Sequence, residues 1–144
     1  MKIYLDNCCY NRPYDDQSNI RVFLETQAKI HIQDMIRNDE VDLVTSFILY
    51  YENSKNPFES KRRAILEFIK DYSVEYISED RLDEVQILAD DIMKTGVKRK
   101  DALHVASAII AGCDLFISTD ARLLKYKTDK IKLINPVDFI TEEV

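Results

Sequence analysis

Asp101-Ala102-Leu103-His104-Val105-Ala106-Ser107-Ala108-Ile109-Ile110-Ala111-Gly112, running on into Leu115-Phe116-Ile117-Ser118-Thr119-Asp120, decides how this chain is arranged. Apart from Asp101, His104 and Ser107, positions 101–111 are Ala, Leu, Val or Ile, so nearly the whole circumference of the helix they form is apolar. Such a helix is buried rather than laid on a surface. Gly112 ends it, and 115–118 reads as a strand. Eleven helical residues rise roughly 16 Å and the strand returns about 13 Å antiparallel to them, which carries Asp101 back to the edge where Asp120 leaves the strand.

The same alternation continues outward in both directions. Residues 1–5 form a short β-like run, 6–18 a polar, Pro-containing loop that breaks regular structure, and 19–38 a long helix. That helix presents Ile20, Phe23, Leu24, Gln27, Ile30, Ile32 and Ile36 at a period near 3.6. A strand at 41–45 passes through Ser46 into the apolar helical stretch 47–51. Pro57 stops that helix near the start of another, whose apolar face is Ile65, Leu66, Phe68 and Ile69. Residues 74–77 read as a strand, Ser78 as an N-cap, and 80–94 as a charged amphipathic helix closed by Gly96. After Asp120 a short helix is expected over 119–127, then a last strand at 131–134 before Pro136. Strands alternating with helices predict a three-layer α/β/α sandwich around a mainly parallel sheet, one domain over 1–144.

Ligands in such sheets bind beyond the carboxyl ends of the strands. Asp6 and Asp120 each sit just past a strand end, and an ionised carboxylate in a poorly solvated place costs several kcal/mol unless paired, hydrogen-bonded or bound to a cation. Asp101 joins them by the return path of its helix, although an acid in a first helical turn is also ordinary capping. Glu52 lies on the face of Ile48 and Leu49 by i+4 and i+3 spacing and points toward the core side. Its structural alternative is a partly exposed Glu paired with Lys55 or a tyrosine. Four acids so placed suit a hard divalent ion.

Several neighbours are candidates for supporting roles. The Asn7 amide can donate to a carboxylate or a phosphate, and Ser118 and Thr119 can hold a bound water or orient Asp120. Both hydroxyl residues also fit strand-end capping. His104 shares a helical face with Asp101, but reads first as a core histidine with one hydrogen bond. Asp114 reads as a turn residue and Asp15 and Asp16 as solvated. Lys98-Arg99-Lys100 adjoins Asp101, where phosphate contacts would position a nucleic-acid strand. Arg12 can contribute in the same way, and Tyr10 or Tyr14 can stack a base. Further basic residues occur as Lys61-Arg62-Arg63 and as Lys125, Lys127, Lys130 and Lys132.

Composition narrows the classes. The 144 residues carry 26 acidic against 20 basic side chains, a net charge of −6, the wrong sign for simple capture of nucleic acid. A polyanion must therefore meet a local basic patch or a bound metal. No charged segment leads into a signal-like apolar core, and no apolar run approaches the roughly 18 residues that span a bilayer. The expectation is a cytoplasmic protein without membrane contact. Cys8, Cys9 and Cys113 are an odd number without C-x-x-C spacing, so buried reduced thiols are expected rather than a zinc site with His31 and His104.

Ile3-Tyr4-Leu5-Asp6-Asn7, the segment from Ser46 to Glu52, Lys100-Asp101-Ala102-Leu103-His104-Val105-Ala106 and Asp114-Leu115-Phe116-Ile117-Ser118-Thr119-Asp120 together resemble a PIN domain, the nuclease fold of VapC-type toxins and many other prokaryotic ribonucleases. The pieces occur in the family's order across most of the chain. The resemblance implies a five-stranded parallel sheet flanked by helices, with Asp6, Glu52, Asp101 and Asp120 at the family's acidic positions, Ser118 at its hydroxyl position, and Mg²⁺ or Mn²⁺ as cofactor. It implies a metal-dependent ribonuclease, with RNA as substrate, an antitoxin protein as partner in the toxin setting, and a homodimer as a common assembly. The Asn-Cys-Cys-Tyr-Asn-Arg-Pro continuation after Asp6 departs from the commoner toxin pattern and points to a separate subgroup. Two alternatives stand beside this reading. A catalytically inactive PIN-like module would bind RNA or protein without cutting. Haloacid dehalogenase-like phosphatases also begin with an aspartate after a strand, but need a second acid two residues on, where this chain has Cys8.

Overall fold

Five strands form one all-parallel sheet in the order β3-β2-β1-β4-β5, where β1 is Lys2–Leu5, β2 Asp42–Ser46, β3 Ser73–Ile77, β4 Leu115–Ile117 and β5 Lys132–Ile134. The computed structural model describes residues 1–142. The central strand β1 is covered on both faces: Ile3, Tyr4 and Leu5 are all fully buried, as parallel strands under helices require. Tyr4, Val44 and Phe116 face one core, together with α5 (Leu82–Met93) and α6 (Arg99–Ile110). Ile3, Leu5, Leu43 and Ile117 face the other, filled from α2 (Ile20–Arg37), α4 (Glu59–Tyr72) and α7 (Pro136–Glu142). Helices thus cover both faces of the sheet, as expected. α6 is buried at every position from Ala102 to Ala108, and Gly112 at φ +75 makes the left-handed turn that a side chain would strain.

The structure corrects four local expectations. Residues 7–11, expected in a loop, form the short helix α1 (Asn7–Asn11), followed by a 3₁₀ turn at Arg12–Tyr14. Asp6 caps α1 by accepting the Asn7 N–H at 2.8 Å. Residues 119–127 form only a single 3₁₀ turn at Leu123–Lys125, because Asp120 closes its own turn by accepting from the Arg122 and Leu123 amides. Residues 136–142, for which the sequence carried no expectation, are helical, with Asn135 accepting the Val137 amide at 2.8 Å. Ser78 makes no capping hydrogen bond.

The fourth correction concerns α2. Ile20, Phe23, Leu24 and Ile30 are exposed, and the inward stripe is Glu25, Ala28, Lys29, Ile32 and Ile36. At about 100° per residue these two sets occupy opposed sides of the helix. The orientation is decided by Glu25, 1% exposed, which accepts from Arg12 at 2.9 Å, Arg21 at 3.4 Å and Asn135 at 2.6 Å. No helix among the described residues is long and apolar enough to cross a membrane.

Candidate active site

The carboxyl ends of β1, β2 and β4 deliver Asp6, Ser46 and Ser118 to one edge of the sheet. β1 and β4 run in register, Leu5 against Ile117, and the Asp6 amide continues the ladder to the Ile117 carbonyl at 2.9 Å. Asp6 is only 6% exposed. Its carboxylate accepts from the Asn7 amide and from the Ser118 hydroxyl, each at 2.8 Å. Ser118 in turn accepts the Asp120 N–H at 3.1 Å, so one hydroxyl ties the two strand-end acids together.

Glu52 enters from α3 (Phe47–Ser54), the helix that β2 feeds through its Ser46 cap. It meets His104 Nε2 at 2.7 Å and Lys100 Nζ at 3.6 Å. Lys55 does not pair with it and instead lies over the Tyr51 ring. Burial alone would raise the Glu52 pKa, but the hydrogen bond and attraction of His104, with Lys100 and Asn7, outweigh it and hold the group below its ordinary value.

Asp6, Glu52 and His104 each offer a ligand atom, all within 4.8 Å of one another. Asp101, in the first turn of α6, is felt here through its charge. Burial first, then the Asp6, Asp120 and Glu52 carboxylates, push its pKa up to about 6. Asp101 and the exposed Asp120 lie outside the group of ligand atoms within 4.8 Å, and Asp101 is linked to it by charge. Oxygen donors predominate and three of the acids, Asp6, Glu52 and Asp120, are held by hydrogen bonds, a donor set that fits Mg²⁺ or Mn²⁺ better than a soft metal.

His104 departs from the expectation of a core histidine with one hydrogen bond. It is 1% exposed and makes two, with Nδ1 lying 2.7 Å from the Tyr4 hydroxyl, which itself is 2.6 Å from Ser46 Oγ. The Leu49 amide donates to the same Ser46 oxygen at 3.4 Å. Because the Glu52 carboxylate only accepts, Nε2 donates to it, and Nδ1 is left to face the Tyr4 hydroxyl. A buried chain therefore runs from the first turn of α3, through β1 and α6, back to Glu52 near the end of α3. Tyr4 and Ser46 were not among the expected site residues. The spacing of Asp101 and His104 on one helix face was the available signal for His104, and nothing in the sequence marked Tyr4.

The remaining residues lie around this pocket. Thr119 is buried, with its amide against Cys8 Sγ and its carbonyl accepting from Arg21. Cys8 is half-buried and lies 3.4 Å from both Asp6 Oδ2 and Ser118 Oγ, whereas Cys9 and Cys113 are buried as expected. Arg12 is engaged by Glu25 and Asp15. Tyr10 is 1% exposed and has no free face to stack a base. Lys98, Arg99 and Lys100 are exposed. Lys98 joins Arg122, Lys125 and Lys127 around a cavity of about 390 Å³ that reaches Asp101, and Arg99 and Lys100 line another that reaches Glu52. Asp114 accepts the Lys2 amide at the opposite sheet edge, as a structural turn residue does.

This architecture recurs in solved structures. VapBC2 of Rickettsia felis, bound to a DNA fragment from its promoter, matches with a TM-score of 0.57 and 16% identity over 94% of this chain and 98% of that one. The fold is that of a PIN domain. FitAcB of Neisseria gonorrhoeae matches at 0.58 with 14% identity, covering 93% of this chain and 97% of that one. FitAB bound to a DNA fragment matches at 0.61 with 15% identity, covering 94% and 95%. No protein-family model matches the chain, and no curated protein does. At these identities the PIN domain likeness is one of fold.

Proposed function

We propose that this PIN-like chain is a metal-dependent endoribonuclease that hydrolyses RNA phosphodiesters with Mg²⁺ or Mn²⁺. The observation that carries the reading is the approach of the Asp6 and Glu52 carboxylate oxygens within 4.8 Å of each other, with the charges of Asp6, Asp120 and Glu52 acting on Asp101. Asp6, Glu52, Asp101 and Asp120 would hold the ion. When bound, the ion supplies an activated water and neutralises charge developing on the phosphoryl group. Ser118 and the Asn7 amide orient Asp6, while His104 and Lys100 orient Glu52. Lys98, Arg99 and Lys100, with Arg122, Lys125 and Lys127, would hold phosphates on either side of the acids and offset the net charge of −6.

The biological setting we propose is a toxin–antitoxin pair in the cytoplasm, with an antitoxin protein and a second copy of the chain as partners. The fold shared with VapBC2 and FitAB supports that setting.

The test is cleavage of mixed RNA by wild type and by Asp6→Asn, each with Mg²⁺, Mn²⁺ or EDTA. Metal-dependent cutting by wild type alone is the expected result. Equal cutting by both proteins would sink the assignment, and RNA binding without cutting would make the chain a binding module. Expression of soluble, active protein is expected to arrest growth, and unaffected growth would remove the toxin setting while leaving the nuclease.

A further inference from the structure

Lys29 is a buried cation with no counter-ion among the described residues. It sits in the middle of α2, only 9% exposed, and its one hydrogen bond goes to the neutral Gln33 Oε1 at 2.6 Å. No carboxylate among the described residues pairs with it. The Tyr10 and Phe68 rings, 5.9 and 5.7 Å from Nζ, offset part of the desolvation cost but supply no negative charge. Burial, with repulsion from Arg37, brings the Lys29 pKa down to about 8. A buried charge in this condition is costly unless something pairs with it.

Lys29 also lines a cavity of about 240 Å³ between α1, the Arg12–Tyr14 turn, α2 and α4, walled by Tyr10, Tyr14, Ile65 and Phe68. The Tyr10 hydroxyl is buried and meets no partner, a second unmet donor on the same lining. Further positive charge lies against two of the lining rings. Lys61 lies 5.3 Å from the Tyr14 ring centre, and Arg37 lies 5.6 Å from that of Phe68. Among the described residues Arg37 is paired with Asp34. This cluster is separate from the acidic pocket and plays no part in the cleavage proposed above.

We propose that this cavity is a binding site for an organic carboxylate with an apolar body, Lys29 providing the counter-ion. The ammonium has two donors left after Gln33, which suits a two-oxygen acceptor. The aromatic and aliphatic walls suit a hydrocarbon body the size of one or two side chains, since the cavity is smaller than the roughly 300–1,000 Å³ of drug-sized sites. A phosphate fits poorly, because no arginine or glycine-rich turn lines the cavity to replace the hydration of a dianion.

A free carboxylic acid and an acidic side chain of a polypeptide share this chemistry. Calorimetric titration of the full chain therefore uses 3-phenylpropionate, its neutral amide, inorganic phosphate and a capped Phe-Glu dipeptide. We expect the acid to bind at least tenfold more tightly than the amide, about 1.4 kcal/mol, and Lys29→Met to erase that difference. Tighter binding of the dipeptide than of 3-phenylpropionate assigns a polypeptide source, and the reverse a free acid; both support the site when they depend on Lys29. Equal binding of acid and amide by wild type, unchanged binding by Lys29→Met, preference for phosphate, or no binding at millimolar concentration overturns it. Should Lys29→Met fail to fold, Lys29→Gln replaces it, and the wild-type comparison of acid with amide decides regardless. Asp6→Asn is expected to bind the acid like wild type, so loss of nuclease activity and loss of this site are read separately.

Discussion

Glu52 receives its position from His104: the two meet at 2.7 Å, and the other ring nitrogen of His104 is fixed at 2.7 Å by Tyr4. The acid least anchored by its own strand or helix end is thus held by a side chain from a different helix. His104→Ala is expected to weaken Mn²⁺ binding roughly 10–100-fold, the usual effect of removing a group that orients a ligand. His104→Gln, which keeps an N–H donor, is expected to recover part of that loss. Electron paramagnetic resonance titration of free Mn²⁺ measures both, and equal affinity in wild type and His104→Ala would refute the positioning role.

Tyr4→Phe removes only the hydroxyl between Ser46 and His104. The ring stays stacked on Phe116 at 5.3 Å, so the expected cost is that of broken buried hydrogen bonds, about 1–3 kcal/mol. Urea denaturation reads that cost as a lower midpoint at unchanged slope. A neutral effect would mean that the chain from Ser46 to Glu52 contributes nothing to stability.

Asp101 makes the metal-free protein pH-sensitive. Its pKa is raised to about 6 from 3.8, so between those values the folded state binds more protons than the unfolded state. Stability from this group is accordingly present below about pH 4 and lost as pH rises through 6. Asp101→Asn is expected to raise the melting temperature of metal-free protein at pH 7 and to flatten the profile between pH 4 and 6. Each kcal/mol gained corresponds to roughly 3–4 °C in a chain of this length. Mn²⁺ affinity is expected to fall in wild type as pH drops below 6, because the ion competes with the proton. Melting curves at four pH values with and without Mn²⁺ test both signs.

Arg12 is engaged structurally, and its substitution separates that role from RNA contact. Arg12→Ala leaves the buried Glu25 with Arg21 and Asn135 alone, at an expected cost of about 1.5–3 kcal/mol for a hydrogen bond to a charged group. RNA affinity, measured by fluorescence anisotropy with Asp6→Asn as the background, is expected to change less than in Lys98→Ala. A larger loss of affinity from Arg12→Ala would return it to the substrate path.

The parallel sheet was legible because central strands under two helical layers must be continuously apolar, as Ile3-Tyr4-Leu5 and Leu115-Phe116-Ile117 are. The wrong face of α2 has an equally physical origin. Ile20, Phe23, Leu24 and Ile30 have helical spacing, but spacing cannot register that Glu25 has three partners 13, 4 and 110 residues away. With Glu25 turned inward, Ile20, Phe23, Leu24 and Ile30 of that stripe face out, while Ile32 and Ile36 pack into the core as expected.

By itself the sequence determined the alternation of elements, the strand-end placement of Asp6 and Asp120, and the return of Asp101, all consequences of local period and of chain length per residue. Tertiary structure alone decided that Glu52 is held by His104, that Tyr4 and Ser46 stand behind it, and that Lys29 is buried without an acid. Those relations join residues up to 100 positions apart, and a hydrogen bond or a missing counter-ion exists only once distant segments have been packed together.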